Sequence, residues 1–402
     1  MTPVRYIAVK NNNCINCGFC SNFIACETKT SGCTGCGACV IGCPALAREL
    51  RARQTSTKSI QFLLDGETCT AEGPISVFDA LREMGRLSQD HRADSGHIRS
   101  FCGTGGCCEC SVLIDGVVKR SCVTSLRNGM EIVTSPDMLR NHAPVRVVTV
   151  LRPAPHYHPS ILVHGCNYRC ESCHNWDLTF AGNTAPRTPA ETVAMLTLDP
   201  KTDHWIGISG GEATLNVPWL LETVRQIRRS APESRIQLDT NASLLTPEVI
   251  DAVVAAGITD ISPDLKALRL DTFMKISGIE SENSAQIYLQ NSWNAVRYIS
   301  ERYRGQVFMA VSLPCHPRIH SKAEIFETST ALARIDPEMS VTLIELQPAF
   351  RRREWAFLGE KVMEQARSIV ESAGLRNVII QGGPTVPRAT DPLDIPLSSE
   401  AL

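Results

Sequence analysis

Residues 163–176 read VHGCNYRCESCHNW and begin in an apolar stretch that predicts a β-strand. Within them, Cys166, Cys170 and Cys173 have the spacing C-x3-C-x2-C. Thiolates are the ligands of iron–sulfur clusters and of many zinc sites. Three thiolates on a four-iron cube would leave one iron without a protein ligand and open to another molecule. The alternative is a structural metal site in which His174 supplies the fourth ligand.

A second motif, IGISGGEAT, covers 206–214 at the end of the next predicted strand. Gly210 and Gly211 would let a bound molecule approach the backbone, because glycine has no Cβ. Glu212 would accept a hydrogen bond from an ammonium group of that molecule. Together, the two motifs indicate a site for a metal cluster and a small ligand.

Short apolar strands alternate with amphipathic helices from about residue 158 onward. The predicted strands lie at 161–163, 205–208, 235–238, 258–261, 307–311, 341–346 and 378–380. The predicted helices lie at 190–198, 217–229, 247–256, 285–302, 323–334 and 353–373. Roughly six or seven such units predict an α/β fold, a partial (βα)6-type parallel barrel over 158–383. The functional groups of such barrels lie at the C-terminal ends of the strands.

With the two motifs at neighbouring strand ends, residues 158–383 resemble the radical SAM superfamily. The resemblance implies a [4Fe–4S] cluster that binds S-adenosylmethionine (SAM) and cleaves it reductively to a 5′-deoxyadenosyl radical. The residues that match the cluster triplet are Cys166, Cys170 and Cys173. The residues that match the GGE motif, which binds the methionyl amine, are Gly210, Gly211 and Glu212.

Within that superfamily, the chain is most similar to the activating enzymes of glycyl-radical proteins and their uncharacterised relatives. The segments that carry this likeness are Cys173-His174-Asn175, LDTNASLLT at 238–246, SPDLKAL at 262–268 and ELQPAF at 345–350. The resemblance implies that SAM is bound, directly or through a monovalent cation, by Asp239, Thr240, Asp264 and Lys266. Without the resemblance, a strand-end aspartate is commonly a helix cap, and Lys266 would be a surface charge.

Three positions depart from the activating enzymes. Ser172 stands where an aromatic residue is usual, and Ala242 stands where glycine is usual. Trp176 is shared with the uncharacterised relatives instead. Cys315, in LPCHPRIH at 313–320, is a candidate catalytic residue: a hydrogen donor, an auxiliary ligand or part of a target-binding loop. A lone thiol is more often an inert core residue.

The chain has 402 residues, a net charge of −2 and 18 cysteines. The near-neutral charge and the lack of a long apolar run argue against nucleic acid and membrane as partners. The first residues lack the layout of a signal peptide, so we expect a cytoplasmic protein. Cysteines clustered in a long chain of this kind favour metal ligation over a disulfide framework.

The segment 1–50 is rich in cysteine and resembles a two-cluster ferredoxin. Its second run has the C-x2-C-x2-C-x3-C-P spacing in which the fourth cysteine binds the other cluster, whereas its first run departs from that spacing in the last gap. By this crossover rule, one [4Fe–4S] cluster takes Cys14, Cys17, Cys20 and Cys43. The other [4Fe–4S] cluster takes Cys33, Cys36, Cys39 and Cys26. The alternative is a pair of zinc knuckles, although no histidine lies in the segment.

The segment 57–137 predicts a small, mostly β domain with one helix and two Asp-Gly hairpin turns. The cysteines with plant-type [2Fe–2S] spacing, C-x4-C-x2-C and a later fourth, are Cys102, Cys107, Cys110 and Cys122. The stretch FCGTGGCCECSVLIDGVVKRSC, at 101–122, resembles the [2Fe–2S] domains attached to bacterial amine oxidases and dehydrogenases. Cys69 and Cys108 fall outside this pattern and are expected to fill core space. We expect a linker at 138–157 and a loose tail at 384–402.

Three functional hypotheses follow. The first is a radical enzyme that abstracts hydrogen from a protein target, with the auxiliary clusters relaying electrons from an external ferredoxin or flavodoxin. The second applies the same chemistry to a small molecule or a short peptide. The third is a non-catalytic iron–sulfur electron carrier, which would have no use for an open iron. In the enzyme hypotheses, the auxiliary domains could instead dock a partner or take back an electron from a product.

Overall fold

The computed structural model describes residues 4–26, 32–52, 57–87, 98–134, 141–151, 157–198 and 205–383. The tail expected at 384–402 lies outside the described residues. In the part of the chain so described, no helix is long and apolar enough to cross a membrane.

The N-terminal segment is closed by a two-stranded antiparallel sheet that pairs its two ends, Tyr6 opposite Ala52. The elements are β1 Tyr6–Lys10, α1 Phe19–Asn22, α2 Ala38–Ile41 and β2 Arg48–Ala52. Each short helix follows a glycine in the left-handed region, Gly18 at φ 75° and Gly37 at φ 79°. Each of these glycines directly follows the second cysteine of a triplet, so the two halves repeat one local structure.

The middle segment folds into a five-stranded sheet with one helix. The elements are β3 Lys58–Leu64, β4 Glu67–Gly73, α3 Val77–Glu83, β5 Ser111–Ile114, β6 Val117–Arg120 and β7 Glu131–Val133. The strand order is β4-β3-β7-β5-β6. Both predicted Asp-Gly turns have positive φ at both residues, as two-residue hairpins require: Asp65 and Gly66, Asp115 and Gly116.

The C-terminal part is built on a nine-stranded sheet of order β10-β8-β9-β11-β12-β13-β14-β15-β16. The strands are β8 Ala143–Leu151, β9 Tyr157–Val163, β10 Pro186–Arg187, β11 Trp205–Gly210, β12 Arg235–Thr240, β13 Asp260–Pro263, β14 Phe308–Cys315, β15 Ser340–Glu345 and β16 Asn377–Gln381. Neighbouring strands are parallel in the run β9-β11-β12-β13-β14-β15-β16. Strands β8 and β10 are added antiparallel at the β9 edge of this run.

Helices join the parallel strands as the alternating pattern predicts. They are α4 Trp176–Thr179, α5 Pro189–Ala194, α6 Val217–Ser230, α7 Pro247–Ala256, α8 Leu270–Ser277, α9 Glu282–Arg302, α10 Lys322–Ile335 and α11 Glu360–Ser372. Hydroxyl caps fix several of their starts: the side chains of Thr188, Thr246 and Ser321 each accept a hydrogen bond from the first helical turn.

The two faces of the parallel sheet differ in polarity. Ile208 on β11 and Leu238 on β12 belong to the buried apolar cluster that packs the sheet against helices. Residues of the opposite parity, such as Ser209, Gln237 and Ser262, line a cavity instead. A parallel sheet covered on both faces would be apolar on both. The polar inner face therefore identifies the side of the sheet that receives a ligand.

The linker expected at 138–157 needs correction, because its central part is strand β8. This strand pairs with β9 along its length, Val145 opposite Val163 and Val147 opposite Ile161. The alternating valines of β8 give the strand an apolar face, and Val145 lies in the main core. The flanking prolines and histidines hide this period-two pattern in the sequence.

Candidate active site

One cavity of about 940 Å³ lies along the inner face of the sheet. It brings together residues that are far apart in sequence and were predicted to bind the cluster or SAM. Those that line it are Cys166, Cys170, Cys173, Gly210, Gly211, Asp239, Thr240, Asp264 and Lys266. This volume lies within the usual range for small-molecule sites.

The cysteine triplet follows β9 on a loop with donors aimed at sulfur. The backbone N–H of Tyr168 donates to the Cys166 Sγ at 3.3 Å, and the Asn241 side chain reaches the same sulfur at 3.6 Å. Burial raises the pKa of the Cys166 thiol, and it raises the pKa of Cys173 to about 12. A buried thiolate of this kind is stabilised by bound metal, and soft thiolates are the ligands of iron–sulfur clusters. The three residues therefore fit the predicted cluster.

Gly210 and Gly211 allow β11 to end directly against the loop that precedes the triplet. Gly210 has φ 105°, and a Cβ on Gly211 would overlap the carbonyl oxygen of Gly165. That oxygen accepts a 2.8 Å hydrogen bond from the backbone of Glu212. Beside any contact with a ligand, the glycines thus have a structural role that their sequence motif did not predict: they join two strand ends.

Glu212, predicted to accept a hydrogen bond from an ammonium group, is not among the residues that line the cavity. Its side chain is 2% exposed and accepts hydrogen bonds from the Thr214 hydroxyl at 2.6 Å and the Thr240 hydroxyl at 2.8 Å. Its second oxygen accepts a 2.6 Å hydrogen bond from the backbone of Asn241. These contacts make Glu212 a brace between the ends of β11 and β12. Burial raises its pKa, although these donors act against the rise.

Asp264 and Lys266 form an ion pair that lines the cavity. Burial lowers the pKa of Lys266, but Asp264 and the thiolates of Cys170 and Cys166 raise it more, so the net shift is upward. Lys266 is therefore a permanent cation beside the cysteine loop. Asp264 Oδ1 has no hydrogen-bond partner among the described residues and is available to a bound ligand or cation.

Asn167, Asn241 and Ser243 form a network beside the cluster loop that the sequence did not reveal. The Asn241 side chain donates to Asn167 at 2.9 Å, and Asn167 donates to the Ser243 hydroxyl at 2.8 Å. Ala242, between two of them, has φ 58°. The usual glycine at this position is explained by that left-handed conformation, which is costly for alanine.

Tyr168 is a second residue that sequence reasoning missed. It lines the cavity, is 2% exposed, and its hydroxyl has no hydrogen-bond partner among the described residues. Its ring makes an edge contact with Phe273 at 5.6 Å. The hydroxyl is therefore positioned to bind a ligand, and only its place inside the cysteine triplet could have drawn attention to it.

Cys315 lies on the opposite face of β14 from the cavity. It belongs to the buried apolar cluster between the sheet and helices α10 and α11, and burial raises its pKa to about 11. His316 stacks on Trp355 with ring centroids 4.1 Å apart. His320 pairs with the backbone oxygen of Lys266 at 2.9 Å. The structure thus gives Cys315 a packing role and makes His320 a support for Lys266.

The four cysteines of the middle domain form two pairs. Cys110 and Cys122 lie with their sulfurs 3.2 Å apart. A hydrogen bond from the Cys107 thiol lowers the pKa of Cys102, and both of these residues are buried. Two facing thiol pairs fit a two-iron centre with four cysteine ligands. Cys108 is buried at φ 61°, outside both pairs.

In the N-terminal segment, Cys43 lies beside the first triplet rather than its own. Burial raises the pKa of the Cys17 thiol, and the charges of Cys43, Cys20 and Cys14 add to the rise. Arg48 donates to the Cys20 sulfur at 3.3 Å. This grouping is the one that the crossover rule assigns to one cluster.

The second triplet gathers around Cys26 in the same way. Burial raises the pKa of Cys39 to about 12, and the neighbouring charges of Cys36, Cys33 and Cys26 contribute. The backbone N–H of Ala8 donates to the Cys33 sulfur at 3.3 Å. All 18 cysteines of the chain are free thiols, which suits ligation rather than disulfide formation.

Comparison with known proteins agrees with this geometry. Residues 160–314 match the family model of the radical SAM superfamily, and residues 57–137 match that of a 2Fe-2S iron-sulfur cluster binding domain. No curated protein matches the chain.

Several solved structures resemble parts of the chain. A domain of pyruvate-formate lyase-activating enzyme from Bacteroides vulgatus is 17% identical, with a TM-score of 0.35 over 44% of this chain and 98% of that one. SuiB from Streptococcus suis, bound to S-adenosylmethionine, is 12% identical, with a TM-score of 0.40 over 54% of this chain and 48% of that one. The chain thus spans about half the length of SuiB. From the two family matches, we conclude that the chain carries a 2Fe-2S iron–sulfur cluster binding domain followed by a domain of the radical SAM superfamily.

Proposed function

We propose that this chain is a radical SAM enzyme that resembles the glycyl-radical activating enzymes and abstracts hydrogen from a protein target. The cluster held by Cys166, Cys170 and Cys173 would supply the electron that cleaves SAM to a 5′-deoxyadenosyl radical. The observation that carries this proposal is the shared cavity: the cysteine triplet, Gly210, Gly211 and the Asp264–Lys266 pair all line it.

The residues of the cavity suit the binding of SAM beside the triplet. Lys266 presents a cation to a carboxylate, and Asp264 Oδ1 and the Tyr168 hydroxyl offer buried hydrogen-bonding atoms without partners in the described chain. Asp239 lines the same wall and accepts a 2.5 Å hydrogen bond from Gln237. These charged groups are only partly exposed, and their reduced contact with water strengthens their electrostatic interactions with a charged ligand.

A protein target is supported by the shape of the cavity at its far end. The cavity continues past β14 and β15 to β16, where Asn377, Ile379 and Gln381 line it. Ile379 is 63% exposed, so the cavity reaches the open edge of the partial barrel. An extended peptide segment can enter there and reach the radical, whereas an enclosed pocket would admit only small molecules. The polar lining and the moderate volume also suit the alternative, a small molecule or short peptide.

The remaining cysteines support built-in electron relay. We propose two auxiliary [4Fe–4S] clusters in the N-terminal segment, one [2Fe–2S] cluster in the middle domain, and an external donor of the ferredoxin or flavodoxin type. Free thiols throughout the chain suit a reducing compartment, and we propose the cytoplasm.

The first test is SAM cleavage by the full chain. After anaerobic reconstitution, dithionite and SAM should yield 5′-deoxyadenosine, and Cys170→Ala should abolish it. Cys315→Ala is the matched control, because this thiol is packed on the other face of the sheet. A Cys170→Ala protein with full yield would overturn the cluster assignment. A wild-type protein that carries all its clusters but makes no nucleoside would support the electron-carrier alternative.

The second test separates a protein target from a small one. A candidate target protein is prepared with deuterated glycine and incubated with the enzyme and SAM. Deuterium in 5′-deoxyadenosine, together with a radical signal on the target, supports the proposal. Deuterium transfer from a labelled small-molecule pool, with none from any protein, would favour the alternative.

A further inference from the structure

Gly165, the residue before the first cysteine of the radical SAM triplet, lies between two other backbone segments. A Cβ on Gly165, which has φ 78°, would lie 2.7 Å from the backbone nitrogen of Cys107 and 2.8 Å from the carbonyl carbon of Gly106. A Cβ on Gly211 would in turn overlap the carbonyl oxygen of Gly165. Backbone therefore packs directly on backbone at three segments, with no side chain between them: the loop that carries Cys102 and Cys107 (the [2Fe–2S] loop), the triplet loop and the end of β11.

A second contact of the same kind lies nearby. Gly182 follows the triplet loop, and a Cβ on it would overlap the carbonyl oxygen of Thr104 in the [2Fe–2S] loop. The side chain of Arg120 holds the same region from outside by donating to the oxygens of Gly105 at 3.1 Å and Thr184 at 3.2 Å. The middle domain is thus fixed to the catalytic domain at its metal-binding loop.

Arg169 ties the two metal-binding loops together directly. One nitrogen of its guanidinium donates to the backbone oxygen of Cys166 at 2.8 Å. The other donates to the backbone oxygen of Cys102 at 2.7 Å. Both acceptors belong to cysteines predicted to bind a cluster, one in each domain. A single planar cation therefore bridges the two ligand loops.

The two cysteine pairs of the middle domain face different neighbours. Cys102 and Cys107 belong to an apolar cluster that also contacts Cys166 and Cys170. The other pair belongs to a cluster that contacts the N-terminal segment; its members and neighbours include Cys110, Cys122, Cys17, Cys20, Cys26, Cys36, Cys39 and also Cys173. The first pair is therefore turned toward Cys166 and Cys170, whereas the second pair shares its surroundings with the N-terminal cysteines and with Cys173.

The N-terminal segment also touches the triplet loop, but through side chains. Arg351 donates to the backbone oxygens of Val40 at 2.8 Å and Cys43 at 3.0 Å, and its own N–H donates to Glu171 at 2.9 Å. Phe19 and Trp176 pack with ring centroids 4.9 Å apart. The contacts of this route run through side chains, whereas the route past Gly165 has direct backbone contact beside its own guanidinium.

We propose that the Gly106–Gly165 contact and the Arg169 bridge make the [2Fe–2S] domain the immediate electron donor to the radical SAM cluster. This inference rests on the proposed function and gives the auxiliary clusters an order. Cys102, Cys107, Cys110 and Cys122 would hold the reduced [2Fe–2S] centre, and one electron would pass from it to the oxidised cluster held by Cys166, Cys170 and Cys173. A low-potential carrier of the ferredoxin or flavodoxin type then restores that electron through the N-terminal clusters.

The experiment compares Arg169→Gln with Arg351→Gln in the full, reconstituted chain. Arg169→Gln removes the guanidinium that bridges the triplet loop and the loop of Cys102. Arg351→Gln removes the guanidinium that binds the N-terminal segment, while the backbone N–H at position 351 still reaches the triplet loop. Iron content and the EPR spectrum of each cluster first establish that the clusters are loaded. The two readouts, taken with dithionite and without SAM, are the microwave-power saturation of the [2Fe–2S] signal and the rate at which the radical SAM cluster is reduced.

We expect Arg169→Gln to weaken the magnetic interaction between the two clusters and to slow reduction of the radical SAM cluster about tenfold, since small displacements have large effects on rates. Arg169→Lys should recover part of both readouts. Arg351→Gln should leave the magnetic interaction unchanged. If Arg351→Gln has the larger effect on the rate, or if fully loaded Arg169→Gln matches wild type in both readouts, the proposal is overturned.

If the Arg169→Gln protein fails to keep its clusters, the wild-type protein still tests the proposed order of the clusters. Saturation of the [2Fe–2S] signal should change when the radical SAM cluster becomes paramagnetic, and an unchanged signal would overturn the proposal. These readouts do not involve SAM. A protein that shows the interaction but yields no 5′-deoxyadenosine would refute the proposed function and leave this inference standing.

Discussion

The carboxylate of Glu212 accepts a 2.6 Å hydrogen bond from the backbone N–H of Asn241, across the ends of two neighbouring parallel strands. The same carboxylate accepts from two hydroxyls, and its side chain is 2% exposed. Glu212 therefore links the ends of β11 and β12. Because Asn241 in turn reaches the sulfur of Cys166, this brace also positions a donor to the cluster ligand.

Replacing Glu212 by glutamine should destabilise the catalytic domain by about 2 kcal/mol, because an amide nitrogen would face donors and leave buried groups unsatisfied. The measurement is anaerobic urea unfolding. Glu222→Gln is the control, since this partly exposed helical residue pairs with Arg225, Gln226 and Arg229 on the surface, and its loss should cost less than about 1 kcal/mol. Unchanged stability combined with lost SAM binding would instead make Glu212 a direct ligand contact.

Gly211→Ala should displace the end of β11 from the triplet loop, because its Cβ would overlap the Gly165 oxygen. Overpacking of this kind costs about 3 kcal/mol, and here the strain falls on the residue next to Cys166. We expect less radical SAM cluster per chain and weaker SAM binding, measured by iron content, EPR and anaerobic titration.

Gly207→Ala, four residues earlier within β11, is the matched control for that substitution. Its Cβ would lie 2.8 Å from the Ser160 hydroxyl, which can rotate away, and at an ordinary 3.6 Å from the Ser160 Cβ. We expect near-normal cluster content. Equal losses in the two variants would mean that neither position tolerates a side chain, and the specific role of Gly211 would be rejected.

The pairing of sulfurs in the middle domain predicts which cysteines are ligands of the [2Fe–2S] cluster. Cys122→Ala should remove the [2Fe–2S] EPR signal, because Cys122 pairs with Cys110 at 3.2 Å. Cys108→Ala should keep that signal, because Cys108 lies outside both pairs. The two spectra are compared after the same reconstitution. Retention of the signal in Cys122→Ala together with its loss in Cys108→Ala would reverse the ligand assignment.

The burial of His320 leads us to expect that the free energy of unfolding depends on pH. Burial lowers its pKa, which Glu324 opposes and Lys266 and Lys275 reinforce. Its Nδ1 has no partner among the described residues, so a proton added there would be buried without an acceptor. The unfolded chain binds that proton more readily. Stability is therefore fully present above the ordinary histidine pKa of about 6.5 and falls as the pH drops below it.

His320→Gln should flatten this fall between about pH 7.5 and 5.5. The measurement is the urea midpoint of the anaerobic protein across that range. Other buried histidines, such as His316, whose pKa burial also lowers, should leave some residual slope. An identical slope in wild type and variant would show that His320 does not contribute.

The alternating pattern of the C-terminal part could be predicted from sequence because each strand and helix carries its own local signal. The cysteine loop, the GGE motif and the two aspartates at strand ends were placed at one edge by the rule that parallel strands end together. The structure gathers them in one cavity, apart from Glu212. Strand β8 and helix α8 escaped prediction, since prolines and histidines flank the alternating residues of β8 and α8 has only two turns.

What sequence could not reveal depends on non-local contacts. Cys315 was a candidate catalytic residue because it ends a strand, but its parity puts it with Leu313 on the apolar face. A shift of one residue along a strand exchanges the faces, so position at a strand end alone does not settle orientation. Likewise, the contact of Gly106 with Gly165 joins two loops with no shared pattern. Only the folded arrangement brings the two domains together.

The grouping of the N-terminal cysteines yields a last prediction, in which one substitution in each half affects the cluster of the other half. Cys43→Ser should remove the cluster that Cys14, Cys17 and Cys20 share, because the charge of Cys43 acts on Cys17. Cys26→Ser should instead remove the cluster of the second triplet, since its charge acts on Cys39. Iron content should fall by one cube in each variant, and the EPR spectra should lose different signals. If both variants lost the same signal, the two runs would share a single site and the crossover would be wrong.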